Sequence, residues 1–242
     1  MSWRISEAAE LEDAIMNLKI TLARKAGVRN GMAVVDVGCG QGGFTAAMSR
    51  TVGQRGKVVA VDVSDEYMEE FMGRLKKWGL LRNVSVIRAD AVNLGGFVPD
   101  EFADVVASYR FLEELKRSED MARVIGEMAR ITKENGRVTI IEMSTEPRNE
   151  AEEAYIRLHR ESGDHLFEPQ EIAEAMKEAR LVKVRIEKVE TDIWFSPDLA
   201  KQNLSHAQVW YDKDVEKSLG KLIDKDGMKY PALYSASGTR GR

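Results

Sequence analysis

Cysteine is the scarcest residue of this chain, and Cys39 is the single cysteine among 242 residues. One cysteine cannot form an internal disulfide, which indicates a reducing compartment. The sequence also lacks a signal-peptide pattern and any apolar run of about eighteen residues. It therefore predicts a cytoplasmic protein without a membrane span.

The chain also has no excess of basic over acidic residues. Lysine and arginine total 36 against 40 aspartates and glutamates, which gives a formal net charge of −4. Without a global basic field, the composition argues against a nucleic-acid partner. Histidine is also rare, and no cluster of histidine, cysteine and carboxylates has the spacing of metal ligands. No metal site is predicted.

The chain does contain apolar strands that alternate with amphipathic helices. This order predicts an α/β fold in which helices cover both faces of a doubly wound, Rossmann-like sheet. Leucine and isoleucine recur at helical spacing over 7–26 and predict an N-terminal helix. The predicted strands span 32–37, 57–61, 84–89, 102–108, 137–143 and 181–193. A last strand is predicted at 230–239, with 207–211 as the alternative.

A glycine-rich loop follows the first strand. Gly38, Gly40 and Gly42 form a GxGxG pattern. Gly38, Gly40 and Gly43 also match GxGxxG, the pattern of dinucleotide-binding loops. Glycine lets the backbone take positive φ and lets a ligand touch the main chain. Asp36 precedes the loop by two residues, where a carboxylate favours a cationic ligand and repels a pyrophosphate.

With its acidic residue before GxGxG, the chain resembles the class I S-adenosylmethionine-dependent methyltransferases. The resemblance implies a seven-stranded, mostly parallel sheet whose last strand is antiparallel. It also implies S-adenosylmethionine as cofactor, S-adenosylhomocysteine as product, and in-line methyl transfer to an acceptor. The ending Tyr230-Pro231-Ala232-Leu233-Tyr234 is similar to that of small-molecule methyltransferases related to quinone biosynthesis. A small-molecule acceptor is therefore expected.

Further cofactor residues are expected where the next strands end. Asp62 follows the second strand, where a carboxylate can accept both hydroxyls of a ribose, of NAD as well as of S-adenosylmethionine. By the resemblance, Asp90 and the Ala91 amide contact adenine, and Val63 flanks it. Ser108, at the end of the fourth strand, is expected to meet the amino-acid end of the cofactor.

Candidate catalytic residues follow the fourth and fifth strands. Tyr109 and Arg110 come directly after the fourth strand, and His159 lies in the segment that covers the substrate in many similar proteins. They are expected to position the acceptor or to accept its proton. Glu142 and His165 are further candidates for these roles.

Three alternatives stay open at this point. The same glycines suit an NAD-dependent oxidoreductase, and the chain can also be a non-catalytic S-adenosylmethionine-binding module. Within the leading class, a protein or tRNA acceptor is the third alternative. The length predicts one domain over 1–242, with an N-terminal helical segment (1–30), a cofactor-binding half (31–143) and a substrate-side insertion with C-terminal strands (144–242). The sequence does not decide the oligomeric state, and a homodimer is compatible with it.

Overall fold

The computed structural model describes residues 5–115, 117–204 and 213–241. Over these residues the helices are α1 (Ala8–Lys25), α2 (Gly43–Val52), α3 (Met68–Lys77), α4 (Met121–Ile131), α5 (Glu150–Glu161), α6 (Pro169–Glu178), α7 (Pro197–Leu204) and α8 (Lys213–Asp226). The strands are β1 (Ala33–Val37), β2 (Lys57–Asp62), β3 (Val84–Arg88), β4 (Ala103–Tyr109), β5 (Thr132–Met143), β6 (Leu181–Val189), β7 (Trp194–Phe195), β8 (Met228–Lys229) and β9 (Leu233–Arg240).

Seven of these strands form one sheet in the order β3-β2-β1-β4-β5-β9-β6. The strands from β3 to β5 pair in parallel, while β9 is antiparallel to both β5 and β6. Asp36 of β1 lies between Ala60 of β2 and Ala107 of β4, so the carboxyl ends of these strands share one edge. The sheet predicted from the sequence and its antiparallel last strand are confirmed.

Helices cover both faces of the sheet because the β1, β2 and β4 side chains are apolar on both sides. Val34 packs in one buried cluster with residues of α1 and α2, such as Leu22 and Met48. Val35 points to the opposite face and packs in a second cluster with residues of α4 and α6, such as Ile125. This alternation decides which residues of each strand face the same helices.

Residues after β5 build a further layer. In it α8 packs on α5 and α7, and β7 pairs with β8. The chain before α1 joins this layer, since the Ile5 amide donates to the Trp194 carbonyl at 2.8 Å. No helix in the described ranges is long and apolar enough to cross a membrane.

Several boundaries differ from the sequence prediction. The strand predicted at 181–193 ends at Val189, and the last strand, predicted at 230–239, begins at Leu233. The strand predicted at 137–143 begins earlier, at Thr132, because Thr132 pairs with Ala103 before a register shift. Asn135 has a φ of 60°, so β5 is irregular at that residue. The alternative last strand, 207–211, lies outside the described residues.

Candidate active site

The glycine-rich loop between β1 and α2 is left-handed at alternate positions. Gly38, Gly40 and Gly42 have φ angles of 73°, 45° and 77°. A Cβ atom on Gly38 would lie 2.1 Å from the Phe111 ring, and one on Gly42 would lie 1.9 Å from the Phe71 ring. At Gly40 nothing lies within 4 Å of that position. Two glycines therefore pack tightly against aromatic rings, and the third is open to a ligand.

Asp62 joins this loop to the end of β2. Its Oδ2 accepts a hydrogen bond from the Gly40 amide at 2.8 Å, and its Oδ1 accepts one from the Ser64 amide at 3.0 Å. The Gly38 and Cys39 amides both donate to the carbonyl of Val61, at 2.9 and 3.0 Å. The carboxylate is thus held in place beside the open glycine.

Asp36 lies buried beneath the loop. Its Oδ2 accepts a hydrogen bond from Thr45 Oγ1 of α2 at 2.5 Å, and its Oδ1 has no hydrogen-bond partner among the described residues. Burial raises the pKa of Asp36 from 3.8 to about 7, which the Thr45 hydrogen bond partly opposes. A buried oxygen without a partner costs free energy unless a ligand or water satisfies it.

The three residues expected beside adenine lie around the end of β3. Asp90 is exposed, and its Oδ1 accepts a hydrogen bond from the Val92 amide at 3.1 Å. Ala91 is buried, and Val63 is 59 % exposed. Asp62 connects to this region, since its carbonyl accepts from the Ala89 amide at 2.9 Å. These residues form an open surface that continues from Asp62.

A cavity of about 430 Å³ adjoins the glycine loop, and we call it the inner cavity. Backbone of the loop forms part of its wall. The side chains that line it are those of Ile15, Lys19, Phe44, Tyr67, Arg74, Tyr109, Arg110, Glu113, Glu114, Tyr155, His159 and Tyr230. The cavity therefore brings together the predicted residues Gly38, Gly40, Tyr109, Arg110 and His159.

Arg110 is the hub of the polar wall of this cavity. Its Nε and Nη2 donate to Glu113 Oε1 at 2.8 and 2.6 Å, and its Nη1 donates to the Tyr155 hydroxyl at 2.9 Å. Arg110 has a φ of 50°, a left-handed conformation that is rare outside glycine. The negative charge of Glu113 raises the pKa of Arg110 well above its ordinary value. Arg110 is therefore always charged, and both its backbone and its side chain are fixed.

Three phenols stand beside the guanidinium. The Tyr109 and Tyr230 hydroxyls form a hydrogen bond with each other. The Tyr155 ring lies 5.0 Å from that of Tyr230, and the Tyr109 ring stacks on Phe44 at 5.3 Å. Burial raises the pKa of Tyr109 well above 10. Tyr109 consequently keeps its proton at neutral pH.

His159 completes this wall from α5. Its Nδ1 lies 2.6 Å from Asp164 Oδ2, and its Nε2 lies 3.0 Å from Arg110 Nη2. Because a guanidinium only donates, these contacts assign the ring proton to Nδ1. Burial and the positive charge of Arg110 lower the pKa of His159 below 6.5, so the ring is neutral at neutral pH.

The structure also brings Glu113, His159 and Asp164 together, with ligand atoms within 4.8 Å of one another. The sequence analysis did not predict this cluster. Arg110 donates to both Glu113 and His159, so a cationic side chain already occupies the place of a metal ion. The cluster is explained as the counter-charge of Arg110.

Glu142 supports the turn that follows β4. Its Oε1 accepts hydrogen bonds from the Phe111 and Leu112 amides at 3.2 and 2.9 Å. Burial and the nearby charge of Glu113 raise the pKa of Glu142 from 4.5 to about 8. Glu142 does not line the inner cavity, so the structure places it behind the residues that do.

Two other predicted residues lie away from the cavity. Ser108 is fully buried, and its hydroxyl has no hydrogen-bond partner among the described residues. Since strand side chains alternate, Ser108 points to the face opposite Tyr109. His165 is exposed and contacts Phe167 at a ring distance of 4.4 Å.

Several lining residues were not predicted from the sequence. Tyr155 and Glu113 accept hydrogen bonds from Arg110, and a buried arginine requires such partners. Asp164, also not predicted, contacts His159 instead. Tyr230 was noted only as part of the ending motif. Lys19 of α1 follows Ile15 by four residues, so it continues a partly apolar helix face with a charge. That single charge was the available signal.

A second cavity, of about 440 Å³, adjoins the first, and we call it the outer groove. It shares Ile15, Lys19, Gln41, Gly43 and Arg74 with the inner cavity. Its remaining lining residues come from α1, from the residue after α3 and from α7, and are Ala8, Leu11, Glu12, Met16, Trp78, Leu199 and Gln202. The groove therefore extends the inner cavity along α1.

Comparison with known proteins identifies a sequence family for this chain. The methyltransferase domain family matches residues 29–212. The ubiquinone/menaquinone biosynthesis C-methyltransferase UbiE of Cronobacter sakazakii is 34% identical over 132 residues, which are 53% of this chain and 51% of that protein. The UbiE protein of Azotobacter vinelandii is 36% identical over 118 residues, 49% of this chain and 45% of that protein. The chain spans about half the length of the curated relatives it matches.

Solved structures show the same fold at low sequence identity. A cyclopropane-fatty-acyl-phospholipid synthase-like protein from Lactobacillus casei superposes with a TM-score of 0.72 at 17% identity, covering 99% of this chain and 95% of that one. A SAM dependent methyltransferase from Aquifex aeolicus gives a TM-score of 0.61 at 19% identity, covering 97% and 94%. Both likenesses concern the fold.

Proposed function

Since the chain belongs to the class I S-adenosylmethionine-dependent methyltransferase family, we propose that it transfers a methyl group from S-adenosylmethionine to a small-molecule acceptor. The main observation in support of this proposal is the hydrogen bond between the glycine loop and Asp62. Gly40 is left-handed, has no atom within 4 Å of its Cβ position, and donates its amide to the Asp62 carboxylate. A nucleoside fits there because the backbone is open and a carboxylate stands at the strand end.

The residues around the loop fit the remaining parts of the cofactor. Asp62 would accept the ribose hydroxyls with the lone pairs that its two amide contacts leave free. Asp90 and the Ala91 amide would contact adenine, with Val63 as the apolar flank. Asp36 would stabilise the positive end of the ligand through the loop, since one of its buried oxygens has no partner.

The inner cavity would hold the acceptor next to the reacting methyl group. When bound, S-adenosylmethionine supplies a sulfonium methyl group that an acceptor nucleophile displaces in line. The chain contributes alignment and the exclusion of water. Tyr109 remains protonated and can donate a hydrogen bond to the acceptor, while Arg110 and neutral His159 hold the polar wall in one arrangement. These residues are proposed as positioning groups first. His159 is the candidate base only if an acceptor replaces Arg110 at its Nε2, since that nitrogen accepts from the guanidinium in this structure.

The comparisons give no support to the NAD-dependent oxidoreductase or to the non-catalytic binding module. The matched curated relatives are named as C-methyltransferases of ubiquinone and menaquinone biosynthesis. A quinol or related phenol is therefore the first acceptor class to test here. The cytoplasmic location, the single domain over 1–242 and the oligomeric state stay predictions, and so do the roles of the individual site residues.

Isothermal titration calorimetry tests the cofactor. We expect S-adenosylhomocysteine and S-adenosylmethionine to bind the wild type, and Asp62→Ala to weaken both at least about tenfold because two hydrogen bonds to ribose are lost. Asp65→Ala is the matched control, since Asp65 pairs with Arg88 at the exposed surface at 2.8 Å. Binding of NADH with no response to either sulfur compound would exclude the proposal.

Transfer of a labelled methyl group tests the acceptor. We expect label in phenol or quinol products after incubation with labelled S-adenosylmethionine, and loss of that label in Asp62→Ala. Label found in tRNA or protein instead would identify a macromolecular acceptor and would contradict the small-molecule assignment.

A further inference from the structure

Lys19 of α1 stands where the inner cavity and the outer groove meet. Its Nζ lies 5.0 Å from the centre of the Tyr109 ring, and a Cβ atom on Gly43 would lie 2.5 Å from that nitrogen. The ammonium group therefore sits against the first residue of α2, within the glycine loop region. A helix N-terminus carries partial positive charge, so two positive ends face the same space.

Lys19 forms no ion pair within the described residues. No carboxylate of the described residues lies within ion-pair distance of its ammonium, although Asp36 is near enough to raise its pKa. Burial and the charges of Arg110 and Arg74 act more strongly and lower the pKa of Lys19 from 10.5 to about 8. Burying a charged group without a partner costs free energy, which a bound anion would offset.

The outer groove provides space for the rest of a molecule whose anionic group contacts Lys19. Ala8, Leu11, Glu12, Ile15, Met16 and Lys19 lie on one face of α1 and line the groove. The stretch from Ala8 to Lys19 is about 16 Å long at the rise of an α-helix. Trp78, which follows α3, and Leu199 of α7 line the groove as well.

Charge is placed unevenly along this groove. Arg74 lines it near Lys19 but already pairs with Glu70 at 2.6 Å. Glu12 lies seven residues before Lys19, about 10 Å away along the helix, so it does not neutralise the ammonium. Between them the α1 wall is apolar at Ile15 and Met16, while Gln202 of α7 adds a polar group to the opposite wall. The groove is therefore cationic at the end that opens into the inner cavity, with an apolar strip along α1.

We propose that Lys19 binds an ionised oxygen group of the methyl acceptor, and that the apolar part of the acceptor lies in the outer groove along α1. The acceptor is then an amphiphilic organic acid such as a phenolate or a carboxylate. Contact with the ammonium favours the ionised form of such a group. This inference rests on the proposed function, because it assigns the substrate class of the same site.

Two fluorescent probes test the assignment without knowledge of the acceptor. 8-Anilinonaphthalene-1-sulfonate has an apolar body and a negative charge, and N-phenyl-1-naphthylamine has the same body without the charge. Titration is done with saturating S-adenosylhomocysteine, which keeps the probes out of the cofactor site. We expect Lys19→Met to weaken sulfonate binding about tenfold, the loss of one charge-assisted contact, and to leave binding of the neutral probe within about twofold.

Control variants and pH make the test specific. Lys57→Met removes an exposed lysine at the start of β2 and should change neither affinity. In the wild type, sulfonate binding should weaken as the pH rises from 7 to 10, because Lys19 loses its charge around pH 8. Lys19→Arg should keep its affinity over that range, since guanidinium stays charged. The groups facing Lys19 are Arg74, Arg110, Asp36 and the Tyr109 ring.

The amino-acid end of the cofactor also carries a carboxylate, and calorimetry separates the two sources. 5′-Methylthioadenosine lacks that carboxylate. If Lys19→Met weakens S-adenosylhomocysteine but not 5′-methylthioadenosine, and leaves the sulfonate unchanged, Lys19 serves the cofactor and our assignment is overturned. Equal probe affinities in all variants overturn it too. Failure of the wild type to bind S-adenosylhomocysteine would instead overturn the proposed function, while the two probes still report on Lys19.

Discussion

Arg110 and Glu113 form a buried ion pair at the inner end of the cavity, with two guanidinium nitrogens on one carboxylate oxygen at 2.8 and 2.6 Å. Only 14% of the Arg110 side chain and 3% of the Glu113 side chain are exposed. The second oxygen of Glu113 has no partner among the described residues. The pair therefore holds the wall of the cavity through one shared atom.

Removing one member of this pair should destabilise the protein. Glu113→Leu leaves the Arg110 charge buried without compensation, which costs about 3–5 kcal/mol. Urea unfolding followed by circular dichroism measures the change. Glu119→Leu is the control, since Glu119 and Arg117 form a pair at the surface and should contribute little. A Glu113→Leu variant as stable as this control would show that the hydroxyls of Tyr155 and Tyr230 suffice for Arg110.

The loop glycines should respond differently to alanine. Gly42→Ala places a methyl group 1.9 Å from the Phe71 ring and also strains a left-handed backbone, so unfolding should require less urea. Gly40→Ala meets no atom, and its cost is the backbone strain alone, about 1–2 kcal/mol. Its methyl group projects into open space, so we expect it to weaken S-adenosylhomocysteine binding beyond its effect on stability.

Calorimetry at a temperature where both alanine variants are folded separates these effects. Comparable stability losses with unchanged ligand affinity in Gly40→Ala would contradict the assignment of Gly40 to the ligand surface.

Stability should fall as the pH rises through the neutral range. Glu142 and Asp36 have pKa values raised to about 8 and about 7 by burial, so the native state binds their protons more tightly than the unfolded chain does. This contribution is fully present below pH 4, and it is lost as the pH rises through 7 and 8. Glu142→Gln keeps an acceptor for the two amides and removes one ionisation.

We expect the free energy of unfolding of Glu142→Gln to depend less on pH than that of the wild type between pH 5 and 9. Asp36→Asn should flatten the profile over a lower range that ends near pH 7. Urea titrations at intervals of one pH unit measure both. Parallel profiles for the wild type and Glu142→Gln would exclude a raised pKa at this residue.

One exposed residue offers a gain in stability. Arg180 follows α6 with a φ of 61°, and its amide donates to the Lys177 carbonyl at 2.9 Å. Glycine relieves the strain of a left-handed residue after a helix, which is worth about 1 kcal/mol. Arg180→Gly should therefore raise the melting temperature by about 2–4 °C. Arg180→Ala keeps the strain and should not; equal melting temperatures for the two variants would refute this explanation.

Local signals allowed the first strands and the glycine loop to be predicted from sequence. The strand before Gly38, the alternate glycines and Asp62 lie within one short stretch whose conformation depends on its own residues. The start of β5 was predicted at residue 137 and lies at Thr132, because this part of the strand depends on a pairing between Thr132 and Ala103. Such pairing is absent from a local pattern.

The residues that line the inner cavity could be predicted only in part, for the same physical reason. Tyr109 and Arg110 were found because they follow a strand, but the position of Lys19 depends on how α1 packs on α2. Tyr155 and Asp164 matter because Arg110 is buried, and the spacing of residues in the sequence does not show that burial. Side chains that converge from distant segments become visible only once those segments are packed.

The insertion of β9 between β5 and β6 has a consequence for the order in which the molecule assembles. During synthesis the strands β1 to β5, which carry the glycine loop, can pair as soon as they leave the ribosome. Within the described sheet, β6 pairs with β9 alone, so it must wait as an unpaired edge until residues 233–240 have been made. A nascent chain stopped before those residues would hold the sheet edge with the glycine loop and still expose β6 to aggregation.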